Sequence, residues 1–184
     1  MKRREFVIGA GGISFATTLR GDLHRATAQD ATPAAAITAI ELAPGVTAEV
    51  LAAAPSASAP GQTVYVARFV FQPGAAIFPH NHPGTTVLGI ESGTLSWTLM
   101  EGTAHVVRGA GSGGTGPAED IAELCQEVML EAGDAIYYES DVVHIASGAS
   151  DMATVVHASL VLTAGEPLLM PSTMDMNTAG CESS

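Results

Sequence analysis

Two histidines, His80 and His82, are the residues whose type and spacing most directly suggest chemistry. They are separated by one residue, so in an extended segment their imidazoles point from the same face and can hold one metal ion between them. Two ligands alone do not make a metal site, and two isolated histidines at this spacing can equally be ordinary surface or core residues. The pattern around the pair therefore has to decide between these interpretations.

Composition predicts one all-β domain to position them. The chain has 184 residues, 47% of them hydrophobic, which suffices for a single core. With 20 glycines and 10 prolines against 14% charged residues, turns are frequent and long charged helices are disfavoured. The formal net charge is −12, and five of the seven basic residues lie in the first 25 positions. A body this acidic disfavours nucleic acid and anionic membrane surfaces as partners.

Short apolar runs separated by turn residues predict about ten strands between Ile37 and Thr163, as in a barrel or sandwich. Residues 91–93 and 101–103 are predicted to be compact hairpin turns, each with a glycine at positive φ. Residues 118–124 are a candidate for one or two helical turns. The glycine-rich run 109–116 matches G-x-G-x-x-G, but no βαβ unit surrounds it, so it is expected to be a surface loop.

The histidine pair lies in a motif that resembles the first motif of the cupin family, G-x5-H-x-H-x3-E-x6-G. The chain has Gly74, His80, His82 and Gly93 at these spacings, and Thr86 replaces the glutamate. A second stretch is similar to the second cupin motif, G-x5-P-x-G-x2-H-x3-N. Its glycine and histidine fall at Gly133 and His144, whereas Glu139, Asp141 and Gly148 occupy the Pro, Gly and Asn positions.

The resemblance, which covers about residues 37–163 and so most of the mature chain, implies a double-stranded β-helix (jelly-roll) barrel in which His80, His82 and His144 hold a divalent metal ion. Thr86 stands where the family's fourth ligand would be, and a neutral hydroxyl is a poor ligand compared with a carboxylate. The resemblance therefore implies a three-histidine site with positions open to water or substrate. Fe, Mn, Zn, Cu and Ni all suit imidazole ligands. The family also implies a small-molecule ligand or substrate and pairing as a homodimer.

Four further side chains are candidates for the surroundings of this site. Tyr137 and Tyr138 precede His144, and strand alternation allows one of the two to face the pocket. Phe78 is a pocket or core aromatic, and His157 is either a second base near the pocket or a satisfied strand histidine.

The N-terminus is predicted to be a signal peptide, residues 1–28. Its basic cluster and short apolar stretch resemble the twin-arginine export signal, and residues 26–28 supply a small-x-small cleavage pattern. A dinucleotide-binding glycine turn at residues 9–14 is the rival interpretation, but it lacks the third glycine. We expect a linker at 29–36, the cupin barrel at 37–165, a C-terminal tail at 166–184, and a mature protein outside the cytoplasm with no membrane attachment.

Cys125 and Cys181 are the only cysteines, and an even count in an exported chain allows a disulfide between them. The methionines of the tail, Met170, Met174 and Met176, are a candidate for Cu(I) binding or for plain packing.

Two functional hypotheses remain. One is a metal-dependent oxidoreductase or dioxygenase that acts on a small organic substrate. The other is a non-catalytic cupin that binds or senses a small ligand. The absence of lysine after residue 28 excludes Schiff-base and P-loop chemistry from the mature chain.

Overall fold

Thirteen β-strands form the regular structure of the residues that the computed structural model describes, 39–109, 117–174 and 181. They are β1 Ala39–Ala43, β2 Val46–Pro55, β3 Gln62–Phe71, β4 Ala76–Asn81, β5 Gly84–Ser92, β6 Thr94–Glu101, β7 Ala104–Val107, β8 Glu119–Ile121, β9 Glu127–Glu131, β10 Ala135–Tyr138, β11 Val143–Gly148, β12 Thr154–Thr163 and β13 Met170–Pro171. The proposed signal peptide, the linker and residues 110–116 lie outside the described residues.

The strands form two antiparallel sheets that enclose one core. The eight-stranded sheet has the order β1-β2-β3-β12-β5-β10-β7-β8, and the five-stranded sheet has the order β13-β4-β11-β6-β9. From β3 to β7, and again from β8 to β13, each successive strand joins the opposite sheet, which is the winding of a double-stranded β-helix. The predicted all-β jelly-roll fold is confirmed.

Alternation along the strands explains how the two sheets face each other. In β12, Val156, Ala158, Leu160 and Leu162 are buried, while the residues between them point outward. A period of two places one set of side chains on each face of a sheet. The inward sets of both sheets meet around Trp97, which is fully buried.

The glycine turns at residues 91–93 and 101–103 are corners between sheets, and the prediction that they are hairpin turns was wrong. Gly93 and Gly102 do have positive φ values of 76° and 87°, as predicted. However, β5 and β7 belong to the eight-stranded sheet and β6 to the five-stranded sheet, so each turn carries the chain from one sheet to the other. Sequence alone marks the tight turn but does not identify the partner of the next strand.

Residues 118–124 contain the short edge strand β8, not the predicted helical turns, because residues 119–121 pair with β7. None of the described elements is a helix with the length and apolar character needed to cross a membrane.

The C-terminal tail is attached to the barrel at two points. Strand β13 pairs with β4 through Met170 opposite Asn81 and Pro171 opposite His80. Cys181 is buried and forms a disulfide with Cys125, with a Cα–Cα distance of 5.3 Å. The chain segment that follows β12 is therefore held against the strand that carries the histidine pair.

Candidate metal centre

The three histidines of the two motifs meet inside the barrel, on the five-stranded sheet. His80 lies on β4 directly opposite His144 on the neighbouring strand β11, and His82 follows two residues after His80 on the same face. All three side chains are buried. One ring nitrogen from each lies within 4.8 Å of the others, which makes the set a candidate for holding a metal ion.

Backbone carbonyls determine the tautomers of His80 and His82. His80 Nδ1 lies 2.8 Å from the carbonyl oxygen of Phe78, and His82 Nδ1 lies 2.6 Å from that of Leu168. A carbonyl oxygen only accepts, so both Nδ1 atoms carry the proton and donate it. The lone pair is left on Nε2 of each ring, and the arrangement matches the outer hydrogen bonds that orient metal-binding histidines.

His144 is held by aromatic contacts. The ring of Trp97 stacks on it at a centroid distance of 5.0 Å and an interplanar angle of 21°. Its Nε2 atom lies 3.2 Å from the hydroxyl of Tyr138. Its Nδ1 atom is buried and has no hydrogen-bond partner. The nearby backbone of Val142 favours the charged ring and so offsets part of the lowering of the His144 pKa that burial causes.

The histidines are in the charge state that a metal site requires. Burial lowers the pKa of His80 to about 4 and that of His82 to about 3. Burial, followed by the proximity of His80 and His82, holds the pKa of His144 well below its ordinary value. At neutral pH all three rings are uncharged, and an imidazole binds metal in this form.

A small cavity of about 20 Å³ adjoins the three rings. Its remaining lining is entirely apolar and includes Phe69, Phe71, Leu88, Val156 and Leu169. A cavity of about 10–15 Å³ holds one water molecule. The space beside the three rings therefore admits about one water molecule.

Two of the predicted neighbours of the site face the barrel interior. Thr86 is fully buried on β5, opposite Tyr138 on β10, and its hydroxyl has no hydrogen-bond partner. Tyr138 is buried against Trp97, His82 and His144. Burial raises its pKa well above the usual range, and the indole of Trp97 offsets part of the rise without completing a hydrogen bond.

Two other candidates, Tyr137 and His157, lie on the outer face of the eight-stranded sheet and do not adjoin the site: Tyr138 is the inward-facing tyrosine of its pair, and His157 is a strand histidine with a partner. Tyr137 is 38% exposed and stacks on His105 at 4.7 Å. His157 is exposed, and its Nε2 lies 2.7 Å from the carboxylate of Glu91. Tyr137 precedes the inward-facing Tyr138, and His157 follows the inward-facing Val156, so strand alternation directs both side chains towards solvent.

Phe78 takes part in the site through its backbone, because its carbonyl accepts the hydrogen bond from His80 while its side chain is 76% exposed. The side chain lies beside a separate surface groove lined also by Leu42, Leu169 and Pro171.

Sequence reasoning missed the role of Leu168. This residue lies in the predicted tail, and its contribution is a carbonyl group that every residue possesses, so no side-chain pattern indicates it. A weak signal was available for Trp97, which alternation within residues 94–100 places on the buried face with Leu95 and Leu99 as its near neighbours.

No protein-family model matches the chain, and no curated protein is similar to it by sequence. Solved structures with a similar backbone fold include KdgF from Halomonas sp., with 16% identity and a TM-score of 0.45 over 67% of this chain and 84% of that one. The formate complex of oxalate decarboxylase from Lactobacillus farciminis has 14% identity and a TM-score of 0.47 over 73% and 33% of the two chains.

A salicylate 1,2-dioxygenase variant from Pseudoaminobacter salicylatoxidans, in complex with gentisate, has 14% identity and a TM-score of 0.40, over 64% of this chain and 26% of that one. The present chain thus spans 33% of the decarboxylase chain and 26% of the dioxygenase chain.

Proposed function

We propose that His80, His82 and His144 hold one divalent transition-metal ion, and that the protein is an oxidoreductase or dioxygenase acting on a small organic substrate. The observation that carries the metal assignment is the convergence of three buried, uncharged imidazoles within 4.8 Å, two of them oriented by backbone carbonyls. The residues fit such an ion because imidazole nitrogen suits Fe, Mn, Zn, Cu and Ni.

A bound ion would supply Lewis acidity or redox chemistry, and three neutral ligands would leave its positive charge undiminished. The chain's own contribution is positioning and the exclusion of water. Leu168 and Phe78 orient two of the rings, Trp97 supports the third, and the apolar wall around Leu88 and Val156 keeps bulk water out.

The cavity limits the size of the substrate. Its 20 Å³ holds about one water molecule, so an organic substrate requires lining side chains to move, and Leu169 of the C-terminal segment is one of them.

The alternative, a non-catalytic protein that binds or senses a small ligand, has one observation in its favour. Apart from the histidines, no titratable side chain lines the cavity in the described part of the chain, so general acid–base catalysis has few candidates. Oxygen consumption and product formation by the metal-loaded protein with candidate small organic substrates would support the enzyme. Saturable binding without turnover would support the alternative.

We also propose that residues 1–28 direct export. The disulfide between Cys125 and Cys181 supports a compartment outside the reducing cytoplasm. N-terminal sequencing of the secreted or periplasmic protein should find the mature chain beginning at Gln29. Recovery of the full-length chain from the cytoplasm alone would contradict the proposal.

The metal assignment is tested by elemental analysis of protein purified without chelator. We expect about one ion per chain in the wild type and a loss of at least tenfold in the His80→Ala/His82→Ala variant. The matched control is His105→Ala/His157→Ala, which removes two histidines from the outer face and should retain the ion. Equal metal content in both double variants would contradict the proposed site.

A further inference from the structure

Tyr138 is the one side-chain hydroxyl that contacts the histidine cluster among the described residues. It approaches from the eight-stranded sheet, whereas the three histidines belong to the five-stranded sheet or its edge. Its ring is buried, with centroid distances of 4.9 Å to His144 and 6.0 Å to His82. The phenol group therefore approaches the cluster from the opposite sheet.

The contact between Tyr138 and His144 has the spacing of two ligands on one ion. The phenol oxygen lies 3.2 Å from Nε2 of His144. Two ligands bound at about 2.0–2.1 Å with an angle between octahedral and tetrahedral stand about 3–3.4 Å apart.

Metal binding also changes what the hydroxyl can do. Without a metal, the Tyr138 hydroxyl and Nε2 of His144 are hydrogen-bond partners. Once Nε2 binds an ion through its lone pair, the hydroxyl loses this partner. The hydroxyl is buried, and a buried hydroxyl without a partner is costly.

We infer that Tyr138 is the fourth protein ligand of the metal ion, which it binds through its phenolate oxygen. This inference rests on the proposed three-histidine site. As the metal–oxygen bond forms, the phenol O–H bond breaks and its proton leaves to solvent. The phenolate brings one negative charge to a set of three neutral ligands, so the protein reduces the charge of a divalent ion from +2 to +1.

The test uses Cu²⁺ as the probe, added to full-length, metal-free protein in its oxidised state. A phenolate bound to Cu²⁺ gives a charge-transfer absorption band in the visible region, and imidazoles alone do not. Both cysteines are in the disulfide, so no thiolate contributes such a band. We expect the band in the wild type, with tyrosinate ring vibrations enhanced in resonance Raman spectra excited within it.

Tyr138→Phe keeps the ring and its packing, so it should fold, as checked by its urea midpoint. We expect this variant to lose the band, to retain the copper, and to bind it about ten- to a hundredfold more weakly. Tyr137→Phe is the matched control, because it removes the adjacent phenol from the outer face and should leave both the band and the affinity unchanged.

The outcomes separate the two proposals. Stoichiometric copper without the band in the wild type, or a band that persists in Tyr138→Phe, overturns the tyrosine ligand and leaves the three-histidine site standing. Failure of the wild type to bind copper stoichiometrically overturns the site and the tyrosine ligand together.

Discussion

Removal of the disulfide between Cys125 and Cys181 should lower the free energy of unfolding by about 4 kcal/mol. The two cysteines are 56 residues apart in the chain, and closing a loop of that length removes about 4 kcal/mol of conformational entropy from the unfolded chain at 25 °C. Cys181 is also buried beside Met100 and Val143, so the cross-link holds the tail inside an apolar cluster.

The variant to measure is Cys125→Ala/Cys181→Ala, because alanine adds no buried polar group. Cys125 has a φ of 65°, a conformation that is unfavourable for cysteine and alanine alike, so this substitution isolates the cross-link. Urea unfolding of the oxidised wild type, the reduced wild type and the variant should give one high value and two similar low values. A Cys125→Gly/Cys181→Ala variant should recover up to about 1 kcal/mol, since glycine adopts positive φ without strain.

The reasoning would be refuted if the oxidised wild type and the double alanine variant unfolded within about 1 kcal/mol of each other. That result would mean either that the disulfide does not form or that the unfolded chain is not restrained by it. Counting free thiols in the unreduced, denatured protein distinguishes the two.

Two further predictions concern stability. Burial raises the pKa of Asp134, but hydrogen bonds from backbone N–H groups and from Arg108 lower it more, so its folded pKa is below the usual 3.8. Its contribution to the free energy of unfolding is therefore present above about pH 4 and is lost as pH falls through the folded pKa. Asp134→Asn should lower the free energy of unfolding by about 1.5–3 kcal/mol at pH 7 and by less at pH 3. The control, Asp120→Asn at an exposed position, should lower it by less than about 1 kcal/mol. A Cβ at Gly93 would lie 2.8 Å from a threonine hydroxyl, so Gly93→Ala should lower the urea midpoint more than Gly61→Ala, which has a similar positive φ but open space around it; equal losses would contradict the steric argument.

Much of the site could be predicted because its determinants are side chains at fixed spacing. A one-residue separation predicted that His80 and His82 share a face, and motif spacing brought His144 to them from 62 positions further along the chain. Alternation also predicted that one residue of the pair Tyr137 and Tyr138 faces the pocket. It could not say which, because that depends on the register of β10 against β5.

The errors have a common physical cause, which is that strand patterns are local while sheet membership is not. For His157 two interpretations stayed open, and the structure has the strand histidine, which lies on the outer face beside Glu91. The corner at Gly93 looks like a hairpin turn in sequence for the same reason. The role of Leu168 could not be predicted, because every residue has a backbone carbonyl and the sequence does not show which one accepts a hydrogen bond from His82.

The carbonyl of Leu168 has a consequence for the order in which the protein matures. Synthesis proceeds from the N-terminus, so β4 and β11 emerge before the segment that orients His82. A nascent chain can fold much of its barrel while this histidine still lacks its acceptor. Completion of the ligand set therefore waits until Leu168 has left the ribosome, and a metal ion captured earlier would meet a looser set of ligands than the folded protein offers.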